Sequence, residues 1–446
     1  MTAPTENSSD ACQKADHICV LVHGLWGNPS HLDCLASTLR DQHGESLYIL
    51  CPKTNSGNYT YDGIELGAER VMDEIEQTIN SLAEQGQQLR KISIIGYSLG
   101  GLIARYVIGL LNARGWLEKL DPVNFTTFAT PHAGARIPRK GFTNVVWNEL
   151  GARTVSNSGR QLFLVDSFRD TKRPLLSVLA DPESIFIQGL KKFRHRTVYA
   201  NITNDRTVAF YTSALTKEDP FRGSKHTYFD YALGYDNVIV NSMDHVLPPA
   251  EEEATTRATR ERGYGKSFWL NLPVSFLIVV FVPVIFLFFL VNAGVQTIRS
   301  QKRIRIHSMG ELVRKYQLPL WVQGAHHVED AFQNISLRRE PAYLPGNKIE
   351  LLQPSTGNEV DIESALSSVP PRIDVPSDSP SFPRLELTPA QCDIIDSLND
   401  VGFRKHPVHI TKHLNSHAAI VVREFRDSSN QGWVVMKHWI NEVFIA

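Results

Sequence analysis

The chain has 446 residues, 42% hydrophobic and 21% charged, with a formal net charge of −1. That length accommodates two domains or one large α/β domain with insertions, and the balanced charge gives no electrostatic footprint for a nucleic-acid partner. Five scattered cysteines (Cys12, Cys19, Cys34, Cys51, Cys392) lack CxxC or metal-like spacing, so they read as reduced thiols facing the cytosol, with neither a disulfide framework nor a zinc site expected.

Residues 1–15 carry no basic start and no apolar core, so no secretory signal is expected and the segment reads as disordered. His17–Val22 is a short apolar run ending at His23-Gly24, and Leu47–Leu50 is a second ending at Cys51-Pro52. Residues 66–83 place Leu66, Val71, Ile75, Ile79 and Leu82 on one helical stripe. Residues 91–95 predict a strand, 99–113 a helix, and 123–128 and 197–200 two further strands. This alternation predicts an α/β fold with a mostly parallel sheet and helices on both faces. Residues 250–266 are charged and surface-like, and no charged residue occurs between Lys266 and Arg299. Residues 353–385 are rich in Pro, Ser and acid and read as a linker. Val408-His-Ile410 is strand-like, 418–422 is apolar, and 433–444 predicts a closing helix. The domain reading is therefore a core over 16–250, an insertion over 251–300, a variable stretch over 301–400, and the end of the core over 401–446.

Gly96-Tyr97-Ser98-Leu99-Gly100 fits GxSxG. Alone the pattern is weak. Between a strand and a helix it is the setting of a nucleophile elbow, where small residues two before and two after let the turn tighten and lift the hydroxyl. The first strand runs into His23-Gly24-Leu25-Trp26-Gly27, a small-residue loop whose backbone can approach a substrate oxygen. The oxyanion donors expected in this arrangement are the N–H groups of Leu99 and Leu25. His23, Gly24, Trp26, Tyr97 and His132 are expected to line the substrate cleft. His23 suits an orienting hydrogen bond better than the role of base. Asp205, after the strand 197–200, is the candidate acid, with Asp236 and Asp244 as weaker alternatives. Sixteen histidines compete for the base. His417 follows a strand-like run and precedes the last helix; His245 is the alternative. No cofactor or metal is expected, because no His/Asp/Glu group has ligand spacing.

HGLWGNPSHL, IGYSLGGLIARYVIG, FATPHAGAR, NDRTV and SHAAIVVR together resemble the fungal serine-esterase, lipase-like family of the α/β-hydrolase superfamily, well over residues 16–240 and moderately over 400–446. By that likeness Ser98 matches the nucleophile, Asp205 the acid and His417 the base. The resemblance implies an α/β-hydrolase fold, hydrolysis of glycerolipid esters such as phospholipids or acylglycerols, and a lipid-droplet or endoplasmic-reticulum location. A thioesterase using the same residues, and a membrane tether retaining the fold without turnover, are the competing expectations. No pattern speaks to oligomeric state.

The apolar run 268–291 is long enough to span a bilayer. A catalytic triad cannot act across a hydrocarbon core about 30 Å thick. Pro273 and Pro283 interrupt the helix ladder, and basic residues flank both ends: Arg257, Arg260, Arg262 and Lys266 before, Arg299, Lys302, Arg303 and Arg305 after. A single span favours asymmetric charge, so the pattern predicts a hairpin or interfacial insertion into a cytosol-facing membrane or lipid-droplet surface.

Overall fold

A computed structural model describes residues 15–137, 148, 156–221, 229–241, 291–307, 309–310, 315–316, 319–320, 384–423 and 430–446. The apolar run up to residue 290, most of the linker 353–385, and the alternative residues Asp244 and His245 lie outside them. Among the described residues no helix is long and apolar enough to cross a membrane.

Six strands form one all-parallel sheet: β1 His17–Val22, β2 Leu47–Leu50, β3 Lys91–Tyr97, β4 Asp121–Phe128, β5 His195–Asn201 and β6 Arg404–Val408. Their spatial order is β2-β1-β3-β4-β5-β6. The chain moves outward from β1 to β2, then returns past β1 to β3 and proceeds the other way. The crevice between the carboxyl ends of β1 and β3 is thus a topological switch point, the place where open α/β sheets bind ligands.

Both faces of the sheet are covered, which is why β1 reads as an unbroken apolar run. Its side chains alternate between two cores: Ile18, Val20 and Val22 face one, Cys19 and Leu21 the other. On the first face lie α2 Ile64–Glu84, α3 Leu99–Ala113 and α4 Ile185–Lys192. The α2 stripe Leu66, Val71, Ile75, Ile79 and Leu82 is buried, and each such side chain contributes about 1.5–3 kcal/mol. On the second face lie α1 Asp33–His43 and the closing helix Asn430–His438, which continues as a π turn through Val443.

Residues 291–307 form helix α5. Pro389–Val401, within the stretch read as variable, form α6, started by a Thr388–Gln391 capping box; its Ile394, Ile395 and Leu398 sit in the first core. Arg384 and Leu385, at the end of the linker, pair with Glu218 and Lys217. The last strand differs from the sequence expectation. It is the polar run Arg404–Val408, not 408–410. As the outer strand of the sheet it has β5 on one side and, on the other, a short bridge from Ile239 to Val408 with Val240 N–H donating to the Pro407 carbonyl, so it tolerates Pro407 and three basic residues.

Candidate active site

Ser98 joins β3 to α3 with φ 55° and ψ −128°, a left-handed conformation that an L residue adopts only under constraint. The constraint is backbone crowding. A Cβ at Gly96 would lie 2.3 Å from Gly101 Cα, and one at Gly100 would lie 2.1 Å from the Val22 carbonyl oxygen. The same contact brings the end of β1 against the first turn of α3. A Cβ at Gly24 would lie 2.7 Å from Ser98 Cβ, so the loop 23–27 touches the serine directly.

Asp205 sits in the loop after β5. Its Oδ1 accepts from the N–H groups of Thr207 at 2.9 Å and Val208 at 2.8 Å, and its Oδ2 accepts from Asn201 Nδ2 at 3.0 Å. His417 lies on the short helix Ser416–Ala419, N-capped by Asn415. Two ties hold that helix against the acid's loop: Ser416 Oγ donates to the Thr203 carbonyl at 2.6 Å and Ser416 N–H to the Asn204 carbonyl at 3.3 Å.

The three side chains meet. His417 Nδ1 lies 2.9 Å from Asp205 Oδ2 and His417 Nε2 lies 3.0 Å from Ser98 Oγ. The ionised carboxylate can only accept, so Nδ1 carries the proton and donates, leaving Nε2 to accept from the serine hydroxyl. Burial pushes the Asp205 carboxyl up, but the His417 ring beside it and the N–H donors outweigh this and hold it below the usual carboxylate range. Ser98 and His417 are each 7% exposed, so the pair is reachable yet largely shielded from water.

The other candidates divide. Leu25 is half-buried, Leu99 is buried at the start of α3, and Trp26 is 49% exposed at the rim. His23 is buried; its Nδ1 donates to the Gly24 carbonyl at 3.1 Å and its Nε2 meets Ser56 Oγ at 3.3 Å, so it shapes the loop and does not reach Ser98 as a base. Burial lowers its pKa, opposed by the Gly24 bond. Tyr97 does not line a cleft. It is 3% exposed, and its hydroxyl donates to the His417 carbonyl at 2.8 Å. His132 is fully buried, with Nε2 2.9 Å from Thr127 Oγ1 and its carbonyl accepting from Arg105, and it too is corrected from cleft to core. Asp236 is exposed in a turn. Sequence reasoning missed Asn201, Ser416 and the anchoring role of Tyr97; Ser416 and Tyr97 carried a positional signal, each standing beside a triad residue. Among the described residues no group of three or more His, Cys, Asp or Glu side chains is placed to hold a metal ion.

Residues 12–217 match the family model described as "Putative serine esterase (DUF676)". The chain is 31% identical over 212 residues to "Putative lipase ROG1" of Saccharomyces cerevisiae, covering 46% of this chain and 29% of that one. It is 26% identical over 247 residues to "Putative lipase C4A8.10" of Schizosaccharomyces pombe, covering 54% and 30%. The chain thus spans about three-tenths of the length of these curated relatives. A solved lipase-esterase related protein from Clostridium acetobutylicum is 16% identical with a TM-score of 0.27, covering 45% of this chain and 80% of that one. The fold assignment does not lean on that likeness. It rests on the parallel sheet, its switch point and the strand–elbow–helix turn at Ser98. Over residues 12–217, just under half of its length, the chain is thus similar to the DUF676 serine esterase family.

Proposed function

We propose that this protein is a serine hydrolase that cleaves carboxylic esters of glycerolipids, phospholipids or acylglycerols, at a lipid surface. The observation that carries the chemistry is the hydrogen-bond chain Asp205–His417–Ser98, at 2.9 and 3.0 Å, ending on a serine held in a strained elbow.

Ser98 Oγ attacks the ester carbonyl carbon while His417 Nε2 takes its proton. The carbonyl π pair moves onto oxygen, and the N–H groups of Leu99 and Leu25, from the two segments packed around Ser98, receive that oxyanion. Asp205 keeps the ring oriented and stabilises the imidazolium. When the intermediate collapses, the C–O bond to the leaving alcohol breaks and His417 returns the proton to that alcohol. Water then repeats the sequence on the acyl-enzyme and releases the fatty acid.

The lipid part of the reading is supported by the lipase descriptions of the relatives and by the apolar run after residue 266. Ser98 precedes that run and His417 follows it, so a shared site favours a chain that enters a lipid surface and returns. On this reading the enzyme works from the cytosolic side of the endoplasmic reticulum or a lipid droplet.

Ser98→Ala is expected to abolish hydrolysis of a soluble p-nitrophenyl ester and of phospholipid in vesicles, and to lose labelling by a fluorophosphonate probe. Hydrolysis at the wild-type rate by this variant would refute the assignment.

A further inference from the structure

Helix α5, residues 291–307, is seated inside out. Its inward side is Ala293, Gln296, Ser300 and Arg303, with half-buried Ile304 beside them. That side is fixed by polar contacts. Ser300 Oγ donates to the Tyr61 carbonyl at 3.3 Å, Arg303 grips both oxygens of Asp62 at 2.7–3.0 Å and donates to the Asn58 carbonyl, and His307 Nε2 meets Glu69 Oε2 at 2.5 Å. The outward side carries Val291, Val295 and Ile298, which are 59%, 40% and 70% exposed. Spaced at four and three residues, they form one stripe. Single exposed apolar residues are ordinary on soluble proteins. A stripe of three, opposite a polar seat, reverses the usual amphipathic arrangement. Exposed Arg299 and Lys302 follow at the next turn.

The seat of α5 is also the support of the site. Trp26 N–H donates to Thr60 Oγ1 at 3.0 Å and Gly57 N–H to the Gly27 carbonyl at 2.7 Å. The turn 57–62 therefore lies between α5 and the loop that touches Ser98.

We propose that the outward face of α5 is a docking platform for an anionic phospholipid surface, which presents the loop 23–27 and Ser98 to that surface. Val291, Val295 and Ile298 enter the acyl boundary, and Arg299 and Lys302 meet the headgroup phosphates. The occupant is argued from two features. The apolar end of the stripe is continuous in sequence with the uncharged run that follows Lys266, and the basic residues lie at the opposite end, as a lipid surface requires. The proposal rests on the lipid-surface reading above and adds the orienting element.

The test uses the full chain with vesicles of phosphatidylcholine containing about one third phosphatidylserine. In the double variant V295E/I298E, hydrolysis of vesicle phospholipid should fall about tenfold or more while hydrolysis of soluble p-nitrophenyl butyrate is unchanged. Lys302→Glu should weaken action on the anionic vesicles and leave pure phosphatidylcholine vesicles unaffected. Should the double variant lose the soluble-ester rate through misfolding, Lys302→Glu decides alone. Unchanged vesicle hydrolysis in both overturns the platform and leaves the esterase reading standing. A change from dimer to monomer with unchanged vesicle hydrolysis also overturns it, marking the face as a contact between copies. Wild-type protein inactive on both substrates would refute the esterase reading itself; flotation of the variants with vesicles would still judge the platform.

Discussion

Ser98 holds φ 55° and ψ −128°, a conformation that costs about 1–3 kcal/mol and persists because Gly96, Gly100 and Gly24 let three backbone segments close around it. His417 is held as firmly, but from two directions: Asp205 fixes its ring and Tyr97 fixes its backbone. Tyr97 follows Ile95 on the strand's alternation, and both face the core under the closing helix, so its hydroxyl reaches the His417 carbonyl from behind the site. Tyr97→Phe deletes the hydroxyl that makes this bond without changing the ring. It should lower kcat about fivefold with KM unchanged, as expected for loss of about 1 kcal/mol of positioning. Steady-state kinetics on a soluble ester checks this; an unchanged kcat would show that the bond does not position the base. Position next to the nucleophile in sequence suggested a cleft residue, and strand alternation sent the side chain the other way.

At the scale of elements, loop composition matters as much as helix and strand. Asp166 accepts from Leu175 N–H at 2.9 Å, at the start of the short helix Leu175–Leu179. Burial raises its pKa from 3.8 to about 6, with the Leu175 bond opposing. A carboxyl raised in the folded state stabilises the fold fully below its unfolded pKa, and that stability is lost as pH rises through about 6. Asp166→Asn keeps an acceptor and cannot ionise. The variant should be more stable than wild type by about 1–3 kcal/mol at pH 8, with the difference vanishing toward pH 4. Urea unfolding at the two pH values measures it, and equal stabilities at pH 8 would contradict the argument. Strand β6 shows the complementary lesson. A polar edge strand lacks the apolar run that made β1 legible, and the more apolar 408–410 drew the expectation two residues too late.

Across the whole molecule, the sheet separates two cores, and the second is rich in buried histidine. Burial lowers His17 to about 4, His406 to about 3 and His438 to about 4; His17 bonds Ser93 and His438 bonds the Tyr199 hydroxyl. A histidine depressed in the folded state takes up a proton more readily when unfolded. Between pH 6.5 and about 4 the unfolded chain therefore binds more protons, and stability drops as pH falls through that window. The thermal midpoint should decline steadily from pH 6.5 to pH 4.5, and His406→Gln should make the decline shallower. A flat midpoint over that range would contradict the neutral, buried state of these rings.

The sequence by itself determined what local chemistry controls: the β1 run, the α2 stripe, the 99–113 helix, the small-residue elbow at Ser98 and the Ser–Asp–His order along the chain. Apart from that order, which is read directly along the chain, each depends on neighbours within a few residues, where periodicity and turn geometry act. Tertiary structure alone decided which of sixteen histidines reaches Ser98, because residues 98, 205 and 417 meet only through the lateral order β3-β4-β5-β6 and the ties from Ser416 to the 203–204 loop. It also decided that Tyr97 and His132 turn into the cores and that α5 shows its apolar side outward. Those outcomes depend on which surfaces a distant segment covers, and contacts of that kind leave no local periodicity to read.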